Sequence, residues 1–219
     1  LKGPALAALR GARGILVRSI TPSSLGTLHG GITEIPSHLP AIPAVSLSIE
    51  DADRLMRLSQ KGPIRGHLHV DVLKPERSRS QNVMGEIHGS ELPDEIILVG
   101  AHMDTWHLGD GSADNGCGVA MAMEAMRLIN RLPNRPRRTL RLVLFTDEEQ
   151  YLAGARAYRA SFGKETHRVV VEPDLGCGAP RGLMVTGNGA QRRWLTTASP
   201  PLEPFGIQEI APGGTGANV

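Results

Sequence analysis

Two apolar runs constrain the architecture most. IILVGAH over residues 96–102 and TLRLVLFT over 139–146 are almost continuous in Val, Ile and Leu, the pattern of strands covered on both faces. Between them Gly118 to Leu132 has helical spacing, with Val119, Met123, Met126 and Ile129 along one stripe. A buried strand, a helix and a second buried strand in that order make a crossover unit. Ala153 to Ser161 continues the alternation as a helix, and Val169 to Val171 and Leu183 to Thr186 follow as strands. The expected fold is α/β, a mainly parallel sheet sandwiched by helices.

A different pattern precedes it. Pro4 to Ala12 reads as a short helix and GILVRSI over 14–20 as a strand. Residues 21–40 are rich in Pro, Ser, Gly and Thr and read as a loop. Pro43 to Leu47 reads as a strand. Ser48, with Asp51 three residues on, opens a helix running to about Leu58. Ile64 to Val72 alternates apolar and polar residues and predicts a half-buried strand. The polar stretch Lys74 to Arg79 reads as a junction, dividing the chain into domains at 1–79 and 80–219. Gln81 to His88 is a further strand candidate.

Composition closes off several function classes. A net charge of +2 gives no strong pull toward nucleic acid or anionic membrane. Aromatic residues make up 3% of the chain, too few for a base-stacking platform. No apolar run approaches the roughly 20 residues needed to span a bilayer. Two cysteines, Cys117 and Cys177, cannot build a disulfide scaffold. The first residue is Leu1 and no signal-peptide pattern follows, so the chain reads as an internal fragment or an incomplete gene.

The chemistry concentrates where the strands end. His102 and Glu148 sit just past the two long apolar runs, and Asp174 just past the strand at 169–171. Ligands in open α/β sheets gather at the carboxyl ends of strands. His102, Asp114, Glu149 and Asp174 offer the imidazole and carboxylate groups that zinc accepts. Asp104, two residues after His102, is placed to hold the other ring nitrogen and fix the tautomer. Asp114 has two oxygens and can bridge two metals ~3.5–4 Å apart. Glu148, directly beside a ligand, is the expected general base, with Asp104 the second catalytic residue.

The order His-x-Asp, Asp-Asn in a Gly-rich turn, Glu-Glu, then Asp resembles the co-catalytic two-zinc aminopeptidase family. The carboxypeptidase Q-like branch (plasma glutamate carboxypeptidase) is the nearest in pattern. The resemblance rests on HMDTW at 102–106, RRTLRLVL at 137–144 and Glu172-Pro-Asp174. ILVRSI and IPAVSLSIEDADRL resemble the protease-associated insert of that branch, so residues 1–79 are expected to be part of such an insert. Residues 80–219 are then a zinc peptidase domain truncated at its C-terminus. The other zinc exopeptidases with His-x-Asp and Glu-Glu place the bridging Asp further from the His than Asp114 lies from His102.

The resemblance implies a zinc metalloexopeptidase that hydrolyses dipeptides or short peptides with a free amino end. It implies that His102, Asp114 and Asp174 hold one zinc, and that Asp114 and Glu149 hold a second together with a downstream His. No histidine follows His167, so the second site is expected to bind weakly or not at all in this chain. It implies a cis peptide at Asp114–Asn115, a secreted or periplasmic setting, a peptide substrate and no nucleic acid, and it allows a homodimer. Two alternatives stay open: a one-zinc relative of the glutaminyl cyclase kind, and a non-catalytic homologue acting as a binding module.

Weaker signals have plainer readings. His67, His69 and Asp71 form the polar face of the strand predicted at 64–72. His107 and Asp110 lie in the motif loop, where a cleft-lining role and a plain loop role are equal. Trp106 either packs beside the metals or caps the core. Cys117 and Cys177 read as small buried hydrophobes. The Arg135 to Arg141 cluster reads as an ordinary loop before a strand. Gly187-Asn-Gly189 lacks the strand–helix context of a phosphate loop.

Overall fold

The computed structural model describes residues 3–20, 25–33, 36–71, 78–106, 108–174 and 176–213. The chain forms two compact units, Leu1–Arg79 with Trp106–Asp110, and Ser80–Thr105 with Gly111–Val219.

In the first unit, helix α1 (Gly3–Ala8) precedes strand β1 (Ile15–Arg18). β1 pairs in parallel with β2 (Ala44–Leu47), Ile15 against Ala44. Helix α2 (Ile49–Ser59) starts where Ser48 Oγ accepts the Asp51 amide at 3.1 Å, satisfying one of the free N–H groups of the first turn. The described residues between β1 and β2 hold no helix or strand. Trp106 belongs to this unit and backs onto Gly30, where an added Cβ would lie 3.2 Å from its Cβ and Cγ.

The strand predicted over 64–72 does not form in its described part. Residues 64–71 have no ladder partner and are exposed, and Val72 lies outside the described residues together with most of the Lys74–Arg79 junction. Alternation supplies a face, but a strand also needs a neighbour's backbone to satisfy its amides. Leu68 instead rests against Gly14. His67, His69 and Asp71 are accordingly exposed.

The second unit is built on a four-stranded sheet of order β3-β5-β4-β6, from β3 (Val83–Ile87), β4 (Leu92–His102), β5 (Arg138–Phe145) and β6 (Thr166–Val171). β4, β5 and β6 run parallel, and β3 is antiparallel on its edge. The connection β4 to β5 is helix α3 (Cys117–Ile129), and β5 to β6 is helix α4 (Ala153–Phe162). The first steps one way across the sheet and the second steps back over β4, so right-handed crossovers put the helices on opposite faces.

Strand alternation divides the core accordingly. Ile96, Leu98, Val143 and Phe145 pack with Tyr158 of α4. Ala101, Leu144, Val99 and Leu142 pack with Ala122 and Val119 of α3. Gly118, Ala122 and Met126 are the buried face of α3, whereas Met123, assigned to that stripe from the sequence, is 52% exposed. Val119 and Met126 of that stripe do face the sheet, and the buried face widens to Gly118 and Ala122, whose small size lets α3 lie close to it.

Beyond β6 come β7 (Gly182–Val185), helix α5 (Gly189–Ala198), a 3-10 turn (Pro200–Phe205) and β8 (Glu209–Pro212), which pairs in parallel with β7. Gly187-Asn-Gly189 does therefore lie between a strand and a helix. Asn188 caps α5, accepting from the Ala190 and Gln191 amides at 3.0 Å each, while Gln191 Oε1 accepts from the Asn188 amide at 2.7 Å. This capping box consumes the amides a phosphate would need. Among the described residues no helix is long and apolar enough to cross a membrane.

Candidate metal centre

His102 is the last residue of β4 and is 1% exposed. Register opposite Phe145 puts it at the carboxyl end of the parallel strands. Its Nδ1 stands 3.0 Å from the Asp104 carbonyl oxygen. With Nδ1–H donating there, Nε2 presents its lone pair to carboxylates: Asp114 Oδ1 at 3.0 Å, Asp174 Oδ1 at 3.0 Å and Glu148 Oε2 at 3.9 Å. Acceptors facing acceptors need a proton or a metal ion between them.

Asp114 comes from an irregular turn, Ser112–Gly116, and its peptide bond to Asn115 is cis. Asn115 is buried, and its Oδ1 accepts the Gly118 amide at 3.1 Å, tying the turn to the start of α3. Gly118 has a role the sequence reading missed. A Cβ there would fall 2.0 Å from Asn115 Oδ1 and 2.2 Å from the Pro173 carbonyl. Only glycine lets the Asp114 turn and the Asp174 segment meet.

Asp147 takes a left-handed φ of 58°, which turns the chain sharply after β5. Asp104 secures that turn: Oδ1 accepts the Glu148 amide at 3.0 Å and Oδ2 the Glu149 amide at 3.2 Å. This departs from the expected bond to the imidazole. The Asp104 carbonyl holds the ring, and its carboxylate stands 3.7 Å from Nδ1 because two backbone N–H groups claim it.

The electrostatics are those of a cation site. Burial would lower the His102 pKa, but the hydrogen bond and charge of Asp174, the charge of Glu148 and the Asp104 carbonyl outweigh it and lift it to about 9. Burial raises Glu148, against the pull of His102, with Asp174, Asp104 and Glu172 adding to the rise. Burial, then the Asp114 charge, push Glu149 up to about 7, and its buried Oε1 has no hydrogen-bond partner. His102, Asp114 and Asp174 have ligand atoms all within 4.8 Å of one another, the one such group of three or more among the described residues. Glu149 stands outside that trio.

The remaining sequence candidates fall elsewhere. His107 lies outside the described residues, and Asp110 is exposed in the first unit. Arg138 and Arg141 lie within β5, not in a loop, and are ion-paired. Cys117 and Cys177 are not buried hydrophobes: Cys117 is half-buried at the start of α3 and Cys177 is exposed, since both sit at the open end of the sheet. A cavity of about 340 Å³ under α4, lined by Leu98, Phe145, Leu152 and Tyr158 among others, includes none of the proposed ligands.

The fold and the cluster define a class, an α/β protein with an imidazole and carboxylates converging at the carboxyl ends of parallel strands. The pattern of peptidase family M28 matches residues 82–202, and the chain belongs to that family. Carboxypeptidase Q of Xenopus laevis is 35% identical over 220 residues, covering 99% of this chain and 47% of that protein. The chain spans about half the length of the curated relatives it matches. Among solved structures, a peptidase M28 precursor from Shewanella amazonensis SB2B superposes with a TM-score of 0.85 at 31% identity, over 100% of this chain and 50% of that one. A zinc aminopeptidase from Bacillus subtilis shares the fold, with a TM-score of 0.62 at 20% identity, over 96% of this chain and 51% of that one.

Proposed function

We propose that this chain carries the metal centre of a zinc-dependent exopeptidase acting on dipeptides or short peptides with a free amino end. The observation that carries the reading is His102 Nε2 set 3.0 Å from both Asp114 and Asp174 carboxylates, with no arginine or lysine ion-paired to any of the three among the described residues. Membership of the M28 family and the likeness to carboxypeptidase Q support the peptide substrate.

The donor set, one imidazole nitrogen with carboxylate oxygens, fits zinc. His102, Asp114 and Asp174 would hold the first ion. Asp114 and Glu149 would offer two ligands to a second ion, a use the buried free Oε1 of Glu149 fits, and that ion is expected to bind weakly because no histidine follows His167. Bound zinc supplies a Lewis acid that polarises the scissile carbonyl and makes water more acidic. Glu148 then acts as the base: its Oε2 takes a proton from the attacking water and passes it to the leaving amine. A raised pKa suits a group that must both accept and return a proton. Asp104 holds the Glu148 and Glu149 amides, which keeps that carboxylate aimed inward.

Hydrolysis of dipeptides by the zinc-loaded protein, alongside Glu148→Gln, tests this reading. Turnover in the variant is expected to fall by about 10²–10⁴-fold, with zinc affinity retained in calorimetric titration. Unchanged turnover would remove Glu148 from the mechanism. Absence of zinc binding by the unsubstituted chain would remove the metal centre.

A further inference from the structure

The loop that carries Glu148 and Glu149 leaves β5 after Phe145 and ends in the first turn of α4. Its two turning points are strained. Asp147 and Leu152 hold left-handed φ values of 58° and 54°, the two non-glycine residues to do so among the described residues. L-residues seldom take that conformation, and it persists only where the surroundings impose it. Without such restraint the loop would relax and carry the Glu148 carboxylate with it.

Two side chains supply the restraint. Asp104 holds the tip, through the Glu148 and Glu149 amides. Asn82 holds the base. It stands just before β3, and the antiparallel pairing of Val83 with Leu144 brings it to the finishing end of β5. Asn82 Oδ1 accepts the Thr146 amide at 3.2 Å, and Asn82 Nδ2 donates to the Gly154 carbonyl at 2.9 Å. The Gly154 amide donates to the Thr146 carbonyl at 3.0 Å, closing the two legs on each other. Gly154 leaves space for the bridge: a Cβ there would fall 2.4 Å from Asn82 Oδ1 and 2.5 Å from the Thr146 carbonyl oxygen. Ser80 Oγ shares a further hydrogen bond with Thr146 Oγ1 at 2.8 Å. The chemistry calls for an amide, which offers one acceptor and one donor where a carboxylate offers acceptors alone.

We propose that Asn82 is a positioning residue for Glu148, locking the base of the 146–154 loop so that the carboxylate stays aimed at the metal centre. It acts through the Thr146 and Gly154 backbone, not on the substrate. Its effect on turnover rests on the proposed peptidase function; the lock on the loop does not.

The test compares the full chain with Asn82→Ala and Asn82→Asp by residue-resolved amide hydrogen exchange and, with zinc loaded, by dipeptide hydrolysis. In Asn82→Ala the Glu148 and Glu149 amides are expected to exchange about 10-fold faster, while those of Leu98 and Val143 in the core strands keep their rates. Unchanged exchange at Glu148 and Glu149, or equal acceleration at all four, overturns the lock. Asn82→Asp keeps the acceptor for Thr146 and loses the donor for Gly154, so the same local acceleration is expected. Native exchange in that variant would overturn the two-sided bridge. In hydrolysis, kcat of Asn82→Ala should fall about 10–100-fold, with KM and zinc affinity close to those of the unsubstituted chain. An unaltered kcat, or a change in KM alone, overturns the positioning role. A local exchange difference in a zinc-loaded chain that hydrolyses no dipeptide, or whose turnover Glu148→Gln leaves unchanged, overturns the peptidase reading instead and leaves the lock standing.

Discussion

The two ends of the central sheet treat carboxylates in opposite ways. Where the parallel strands begin, arginine answers Glu86, Glu91, Glu95 and Glu165. Glu95 pairs with Arg138 at 2.6 Å and with Arg168; Arg141 pairs with Glu86 at 2.5 Å and with Glu165; Arg137 pairs with Glu91 at 2.7 Å. Where the strands finish, Asp104, Asp114, Glu148, Glu149 and Asp174 have no arginine or lysine ion pair among the described residues, and His102 is the one basic side chain against Asp104, Asp114, Glu148 and Asp174. The pKa values record the contrast. Hydrogen bonds from Arg168 and Arg138 hold Glu95 down to about 2, whereas burial and the Asp114 charge push Glu149 up to about 7. The first end is electrostatically complete within the protein. The second would be completed by the metal ion of the proposed centre.

The largest expected effect breaks the second end. His102→Ala removes the nitrogen that draws Asp114 and Asp174 together. Zinc affinity should fall by more than about 100-fold, beyond what a change outside the ligand shell costs. Near-native zinc binding in a calorimetric titration of that variant would mean that the carboxylates alone form the site.

Arg141→Met breaks the first end. Its side chain is 7% exposed, between Glu86, Glu165 and the Tyr158 hydroxyl at 2.8 Å. Removing one partner of a buried pair costs about 3–5 kcal/mol. Glu165 is 39% exposed and keeps its water, so about 2–3 kcal/mol is expected here. Urea unfolding measures the loss. A cost below about 0.5 kcal/mol would put this network among ordinary surface pairs.

Asp104→Asn sharpens the comparison, because Asp104 shares the crowded end but is satisfied by backbone. Where Oδ1 and Oδ2 now each accept one N–H, the amide would turn its NH2 donor toward one of the two, so the Glu148–Glu149 turn should loosen. Turnover is expected to drop about 10–100-fold while zinc affinity barely moves. A larger loss of zinc affinity than of turnover would show that the residue acts through the His102 ring.

The smallest effect is on acid stability. Glu95 has a folded pKa of about 2, below its ordinary 4.5. Its contribution is therefore full above about pH 4.5 and is lost as pH falls toward 2. Glu95→Gln should flatten the pH dependence of stability in that window and leave it unaltered near neutrality. An unchanged acid limb would show that other carboxylates control it.

Much of the fold was legible because burial is written in composition. The runs at 96–102 and 139–146 are strands β4 and β5, and Ser48 with Asp51 marks the start of α2. A legible signal was also passed over: Asn188 with Gln191 three residues on is a capping box, and α5 follows it. Alternation misled at 64–71, since it cannot reveal whether a partner strand exists.

Sequence alone determined which groups stand at the ends of β4, β5 and β6, because strand length and loop position are local properties. It therefore named His102, Asp104, Glu148, Glu149 and Asp174 as neighbours in chemistry, while Asp114, in the turn before α3, was added by its motif. Only the tertiary structure decided how they divide the work. His102 gathers Asp114 and Asp174, Glu149 stands outside that trio, and the Asp104 carboxylate serves two backbone amides rather than the ring. The meeting of the Asp114 and Asp174 segments across Gly118, some sixty residues apart in the chain, is likewise a tertiary result. Local pattern records what a residue can donate or accept. Which partner reaches it first depends on distances set by the packed sheet and its crossovers.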